Sequence, residues 1–410
     1  MDSIDISGPL PLPASTPDLS DVDILAQLQE YRPVTSERNV WAFWDKGLAN
    51  SPAWNQRNVI GWVRRLGSSW TVRVVDHVTG SPTNVSNYVE SSFFPQAFND
   101  KTMTGPHVGP HAGDLVRLPL LYLHGGVWLD IGFLLFRSLE HICWNLLEDP
   151  STSFEMGGFR ALVNEKMGLF FNGFIAARKG NLCIKYWHET YLHIWQGITD
   201  TIGVHDDLFF QHLPTYQPAS DAPLNFDYPK FVDYIVHIFC LERIRHLKDP
   251  VLNWDGPEYF ASNVYLLNVA NEVYMAQELT RWDGRKQYDL LSISRDGPHD
   301  ERWQEAEAFV RGTLTNSSAM KLSHGIALPS GQEFLATIWD NHPDADIARG
   351  TFAEYLRWAS ENYVDKRELT RVTLPTCESA ILVGGMFEVV GKKPSEVESE
   401  EFLPIEADSP

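Results

Sequence analysis

One stretch carries the residue types that phosphate chemistry requires. It reads Gly113-Asp114-Leu-Val-Arg117-Leu-Pro-Leu-Leu-Tyr122-Leu-His-Gly125-Gly126-Val-Trp128-Leu-Asp130-Ile-Gly132. Asp114 and Arg117 stand three positions apart, which on a helix places them on one face. The Gly-Gly pair then turns the chain into a strand ending at Asp130, so two carboxylates and a guanidinium can converge at one sheet edge. A carboxylate at a strand end suits Mg²⁺ or Mn²⁺, and an arginine or a metal neutralises a leaving diphosphate. The same spacing also describes a helix-capping salt bridge and a loop acid, and on spacing alone both readings stand.

The elements that must position these groups follow from the hydrophobic pattern. Asn39 to Trp44 reads as a buried strand, Pro52 to Leu66 as an amphipathic helix and Trp70 to Val75 as a second strand. Asp114 to Leu123 predicts a helix stopped by Gly125-Gly126, and Val127 to Asp130 a short strand. Pro119 inside that helix predicts a kink or a shifted start, because proline has no N–H and its ring crowds the preceding turn. Gly168 to Ala177 reads as a strand and Leu182 to Trp195 as a helix. The alternation predicts an α/β fold, a Rossmann-type, mostly parallel sheet flanked by helices with a mixed α/β C-terminal part. Ligands of such sheets sit beyond the carboxyl ends of the strands, where Asp76 and Asp130 fall. Further helices are expected near Tyr259 to Leu279 and Ala348 to Ser360.

Composition narrows the function classes. The 410 residues include 33 Lys+Arg against 54 Asp+Glu, a net charge of −21, which opposes a nucleic-acid backbone or an anionic membrane as partner. Cys143, Cys183, Cys240 and Cys377 are scattered singly, which suggests neither a zinc cluster nor a disulfide framework and fits a reducing compartment. The most apolar window, Leu115 to Phe136, is interrupted by Arg117, His124 and Asp130, so no membrane span is expected. The first 22 residues hold four acids and no Lys or Arg, unlike a signal peptide, and a cytoplasmic location is the expectation. The expected division is a flexible acidic N-terminus at 1–22, a main domain at 23–345, a C-terminal helix and strands at 346–390 packed on it, and an acidic tail at 391–410.

The central stretch resembles the Ser-Asp-x-x-Arg…Tyr-x-x-Gly-Gly-x-Trp-x-Asp block of glycosyltransferases with a DXD sugar-binding region, the capsular polysaccharide synthesis proteins and family 32 enzymes. Val40-Trp-Ala-Phe-Trp44 with Ser51-Pro52, Asn172-Gly-Phe-Ile-Ala-Ala177, Asp206-Asp-Leu-Phe-Phe-Gln-His212 and Lys321-Leu-Ser-His324 are similar to further blocks, extending the resemblance over residues 38–325. The resemblance implies a GT-A fold, a nucleotide-sugar donor, a hydroxyl acceptor and retention of anomeric configuration. Carried over residue by residue, Asp114 and Arg117 would hold donor sugar and diphosphate, with Trp128 and Asn172 beside them. Asp130 would be the metal-linked acid of the DXD-like element, with Mn²⁺ or Mg²⁺ as cofactor. Asp76 would meet the nucleoside, and Trp41 and Phe43 would line the base pocket; as alternating aromatics they equally fit plain core packing.

Gly132 departs from the pattern: the second acid of the DXD-like element is absent. That shifts metal holding toward Asp206, Asp207 or His324, or makes the chain a non-catalytic nucleotide-sugar or sugar binding relative. A glycoside hydrolase ranks last, since nothing selects a pair of carboxylates about 5 to 9.5 Å apart. The loop Lys101 to His111 reads as a lid in which His107 and His111 are ordinary exposed histidines. Asp340-Asn-His342-Pro-Asp344-Ala-Asp346 reads as a solvated turn, and Tyr186, Trp187, His188 and Trp195 as a core stripe. Asp206-Asp207 reads as an acceptor-positioning or metal-completing pair, or as first-turn helix acids.

Overall fold

Asn39–Phe43 forms β1, with all five residues buried, as expected of a strand covered on both faces. In this computed structural model, which describes residues 19–163, 168–215, 227–324, 333–365 and 367–389, β1 is flanked on both sides by parallel partners. These are β2 (Thr71–Val75) and β3 (Gly126–Leu129). Next to β3 lies β6 (Gly168–Ala177), antiparallel to it, then β5 (Met156–Leu162), antiparallel to β6, and β7 (Val264–Asn268), parallel to β5. The order β2-β1-β3-β6-β5-β7 is a mostly parallel sheet, and the fold is mixed α/β.

Side chains alternate across the sheet and feed separate cores. On one face Trp41 and Trp128 pack with α2 (Val108–His124), α3 (Leu182–Ile194) and α4 (Val236–Arg245). On the other, Val40, Val127 and Leu129 pack with Val59 and Trp62 of α1 (Ala53–Leu66). A third cluster joins Trp54 to Leu134 of β4 (Phe133–Leu135), Met320 of β8 (Ala319–Lys321) and Leu356 of α5 (Phe352–Asn362). β4 and β8 pair antiparallel, with Lys321 opposite Phe133.

Several expectations are corrected. The helix expected from Asp114 begins six residues upstream, at Val108, so Pro119 lies inside it with no N–H to offer the preceding turn. Tyr259 to Leu279 is not one helix: the short helix Gly256–Ser262 is followed by β7, whose apolar run is consumed by the sheet, and then by the short helices Val269–Glu272 and Met275–Thr280. Asp340 to Asp346 is a solvated turn only in part: Asp340 to Asp344 are exposed and 342–344 form a bend and turn, but Asp346 is not solvated. Asp340 lies in the last turn of the helix Leu335–Asn341, and Asp346 is fully buried between Arg57 and Arg357. In the expected flexible N-terminus, residues 1–18 lie outside the described residues, while Ser20 and Asp23 form a reciprocal cap on the helix Asp21–Leu28. The acidic 391–410 segment also lies outside them. Tyr186, Trp187, His188 and Trp195 are buried core. Among the described residues no helix is long and apolar enough to cross a membrane.

Candidate active site

The turn between α2 and β3 aims the charged groups. Gly125 and Gly126 have φ of 67° and 112°, and a Cβ on Gly126 would lie 2.3 Å from the Asn39 carbonyl oxygen. Only glycine lets β3 reach its place beside β1 there. Asp114 and Arg117 on α2 and Asp130 after β3 thereby meet. One Arg117 nitrogen lies 3.0 Å from Asp114 Oδ1 and 3.6 Å from Asp130 Oδ1, and another donates to the Asn172 carbonyl at 2.7 Å. The guanidinium sits 4.9 Å from the centre of the Trp128 ring, whose indole N–H donates to Asp130 Oδ1 at 2.9 Å.

Behind this cluster a buried polar network holds Asp114. Asn172 Nδ2 is 3.2 Å from Asp114 Oδ1 and 3.2 Å from His237 Nδ1, while His111 Nδ1 approaches Asp114 Oδ2 at 3.6 Å. Burial by itself raises the Asp114 carboxyl. The Arg117 guanidinium and the two imidazoles more than offset it and hold the group below its ordinary value, ionised at neutral pH. Burial, opposed by the charge of Asp114, lowers His237 to about 3, so it is neutral.

Asp130 has a further partner. The Lys321 ammonium of β8 donates to Asp130 Oδ2, and its side chain is only 12% exposed. Gly132 is where that strand crosses. Its Cβ would lie 2.2 Å from the Leu322 carbonyl oxygen, and the Leu322 N–H donates to the Gly132 carbonyl at 2.9 Å. A second acid at 132 is therefore sterically excluded by the residue following Lys321.

Asp114, Arg117, Trp128, Asp130, Asn172, Phe43, Lys321 and His324 all line one cavity of about 790 Å³. Beyond the charged corner its wall is mostly apolar, with Phe170, Phe171, Ile235, Ile238, Tyr274 and Trp282 among the lining, and Asn268 and Glu278 add polar groups. Other candidates sit elsewhere. Trp41 is fully buried, its indole bonded to the Gly125 carbonyl, and serves the core. The Asp76 carboxylate accepts from Val78 N–H and from the Ser81 and Thr83 hydroxyls, closing its own turn. Asp206 projects away, its side chain 88% exposed, and Asp207 caps the short turn Leu208–Phe210. His111, expected on an exposed loop, is buried in α2 because the helix starts early.

Asp130 and His324 do not fit a divalent-cation site. Both Asp130 oxygens are engaged by cationic or N–H donors, His324 Nε2 is 2.7 Å from Asp340 Oδ2, and Gly132 supplies no oxygen from a side chain. Among the described residues no three His, Cys, Asp or Glu side chains cluster as a metal site. Lys321 and His237 are the residues that sequence reasoning missed. Lys321 opens the Lys321-Leu-Ser-His324 block, which was a usable signal; His237 had none, since only packing of α4 under β6 brings it to Asn172.

The capsular polysaccharide synthesis protein family matches residues 18–215. The chain is 54% identical to glycosyltransferase afumC of Aspergillus fumigatus, over 91% of this chain and 97% of the relative. It is 46% identical to O-glycosyltransferase braB of Annulohypoxylon truncatum, over 90% of each. To O-glycosyltransferase PaGT of Phomopsis amygdali it is 35% identical, over 93% of this chain and 96% of the relative. The solved PaToxG glycosyltransferase aligns with 43% of this chain and 69% of its own at 15% identity and a TM-score of 0.30, too loose to compare folds. The class is thus a transferase enzyme acting on sugars. The chain belongs to the glycosyltransferase family of these relatives.

Proposed function

We propose that this enzyme moves a sugar from a nucleotide-sugar donor to the hydroxyl of an apolar small molecule, with retention of configuration on a GT-A-type scaffold. The observation that carries this reading is the meeting of Asp114, Arg117 and Asp130 at the end of β3, inside a cavity whose remaining wall is mostly aromatic and aliphatic. The two relatives named O-glycosyltransferases support oxygen as the accepting atom. An apolar wall rewards burial of an apolar acceptor at about 25 cal/mol per Å², which a free oligosaccharide cannot exploit.

In the transfer, the bond from the anomeric carbon to the β-phosphate oxygen breaks with its electron pair on that oxygen. The acceptor oxygen bonds the anomeric carbon, and the hydroxyl proton passes to the released diphosphate. Arg117 meets the charge that grows on the diphosphate, and its position is fixed before substrate arrives by Asp114 and the Asn172 carbonyl. Asp114, at 5% exposure, is a positioning residue in this scheme. The non-catalytic alternative rested on the missing acid at 132; the relatives named glycosyltransferases favour a chain that turns over.

The test is thermal stability with UDP- and GDP-sugars, each with Mn²⁺, Mg²⁺ or EDTA, followed by product analysis with apolar alcohols and phenols against free oligosaccharides. One donor class at 100-fold its Kd should stabilise the protein by about 2.7 kcal/mol. Binding of no nucleotide sugar refutes the donor, and glycosylation of oligosaccharides alone refutes the acceptor class.

A further inference from the structure

The corner of the cavity holds a fixed cation where the resemblance places a metal. Lys321 comes from β8, a strand remote in sequence, and its ammonium bonds Asp130 directly. Its backbone is pinned on both sides: the carbonyl accepts from Gln277 Nε2 at 2.7 Å, and the N–H donates to the Val273 carbonyl at 3.2 Å. The ammonium also lies 5.5 Å from the centre of the Phe133 ring. It lines the same cavity as Arg117.

Charge accounting explains why this lysine goes with glycine at 132. Two carboxylates and a divalent cation sum to zero, and so do one carboxylate and one ammonium. The Leu322 backbone fills the space where a second carboxylate would start, and in doing so delivers Lys321 to the first one. The loss of an acid and the arrival of a cation are one structural event.

We infer that Lys321 is a catalytic residue of the transfer, standing in for a divalent metal, so that the reaction needs no metal ion. This rests on the nucleotide-sugar reading above. As the anomeric carbon–oxygen bond breaks and its electron pair collects on the β-phosphate, Lys321 and Arg117 together neutralise the leaving diphosphate, and Asp130 holds the ammonium in place between turnovers. A preorganised cation of this kind costs no reorganisation during the step.

The experiment compares full-length wild type with Lys321→Met and Lys321→Arg, measuring donor consumption in EDTA, in Mn²⁺ and in Mg²⁺. Wild-type turnover should be equal in all three. Lys321→Met should keep its melting temperature and lose about 10²- to 10³-fold in kcat, the size seen when one transition-state donor is removed. Lys321→Arg should keep part of the activity, and added ethylammonium should partly restore Lys321→Met, which a merely structural role would not allow. Wild-type activity abolished by EDTA and restored by Mn²⁺ or Mg²⁺ overturns the inference, as does Lys321→Met turnover within threefold of wild type. If no nucleotide sugar is consumed under any condition, the transfer reading itself falls. UDP and GDP affinity of the same proteins then decides the lysine's role: weakening by Lys321→Met supports it, and dependence on Mn²⁺ overturns it.

Discussion

Replacing Gly132 by alanine should damage both the strand crossing and the site. The new Cβ would stand 2.2 Å from the Leu322 carbonyl oxygen, where ordinary contact begins at 3.4 Å, so β8 must retreat by about 1.2 Å. Overpacking of this kind costs about 1–3 kcal/mol. Loss of the 2.9 Å bond from the Leu322 N–H to the Gly132 carbonyl adds about 1 kcal/mol. The expected destabilisation is roughly 2–4 kcal/mol. With an unfolding entropy of about 2.1 cal/mol/K per residue over 410 residues, that is a fall in Tm of about 2–5 °C. Lys321 precedes the displaced residue, so turnover should fall as well. Gly132→Asp, which writes the missing acid back, should be worse rather than better. The assay is thermal unfolding beside donor consumption, with Gly109→Ala as control, since a Cβ there meets nothing within 4 Å. A Gly132→Ala protein that melts within 1 °C of wild type, or a Gly132→Asp protein with raised Mn²⁺-dependent turnover, refutes the steric reasoning.

Two further predictions concern buried charge. Asp346→Ala leaves the Arg57 and Arg357 guanidinium groups without the buried carboxylate they share, at 2.5 and 2.7 Å, and should cost about 3–5 kcal/mol in urea unfolding; a loss below 1 kcal/mol contradicts it. Acid should destabilise the fold early: burial lowers His237 to about 3 and His188 to about 4, so below the unfolded value near 6.5 the unfolded chain takes up protons that the folded one refuses. Each contributes up to about 1.4 kcal/mol of lost stability per pH unit between pH 6.5 and its folded value. Urea unfolding at pH 7, 6 and 5 checks this, with His188→Phe expected to lose about half of that slope and a flat profile refuting it.

What the sequence determined by itself was local. The apolar runs at 39–44, 70–75 and 168–177 became β1, β2 and β6 because both faces of the sheet demand continuous burial. The Gly125-Gly126 break stood where a side chain would strike the Asn39 carbonyl, and the three-residue spacing of Asp114 and Arg117 did become a contact of 3.0 Å. Within one helix, one turn and one strand, spacing translates directly into distance. The commitments of side chains remained hidden. Asp76 and Asp206 had the right residue type at plausible ends of elements, yet one closes its own turn and the other faces water. Run by run, nothing distinguished the apolar stretch around 264–268 from a helix, and only its pairing with β5 made it a strand. Lys321 and His237 lie 191 and 65 residues from their partners Asp130 and Asn172. Tertiary packing alone decides such pairs, because local chemistry sets which groups a segment offers and the crossing of distant strands and helices sets which groups they meet.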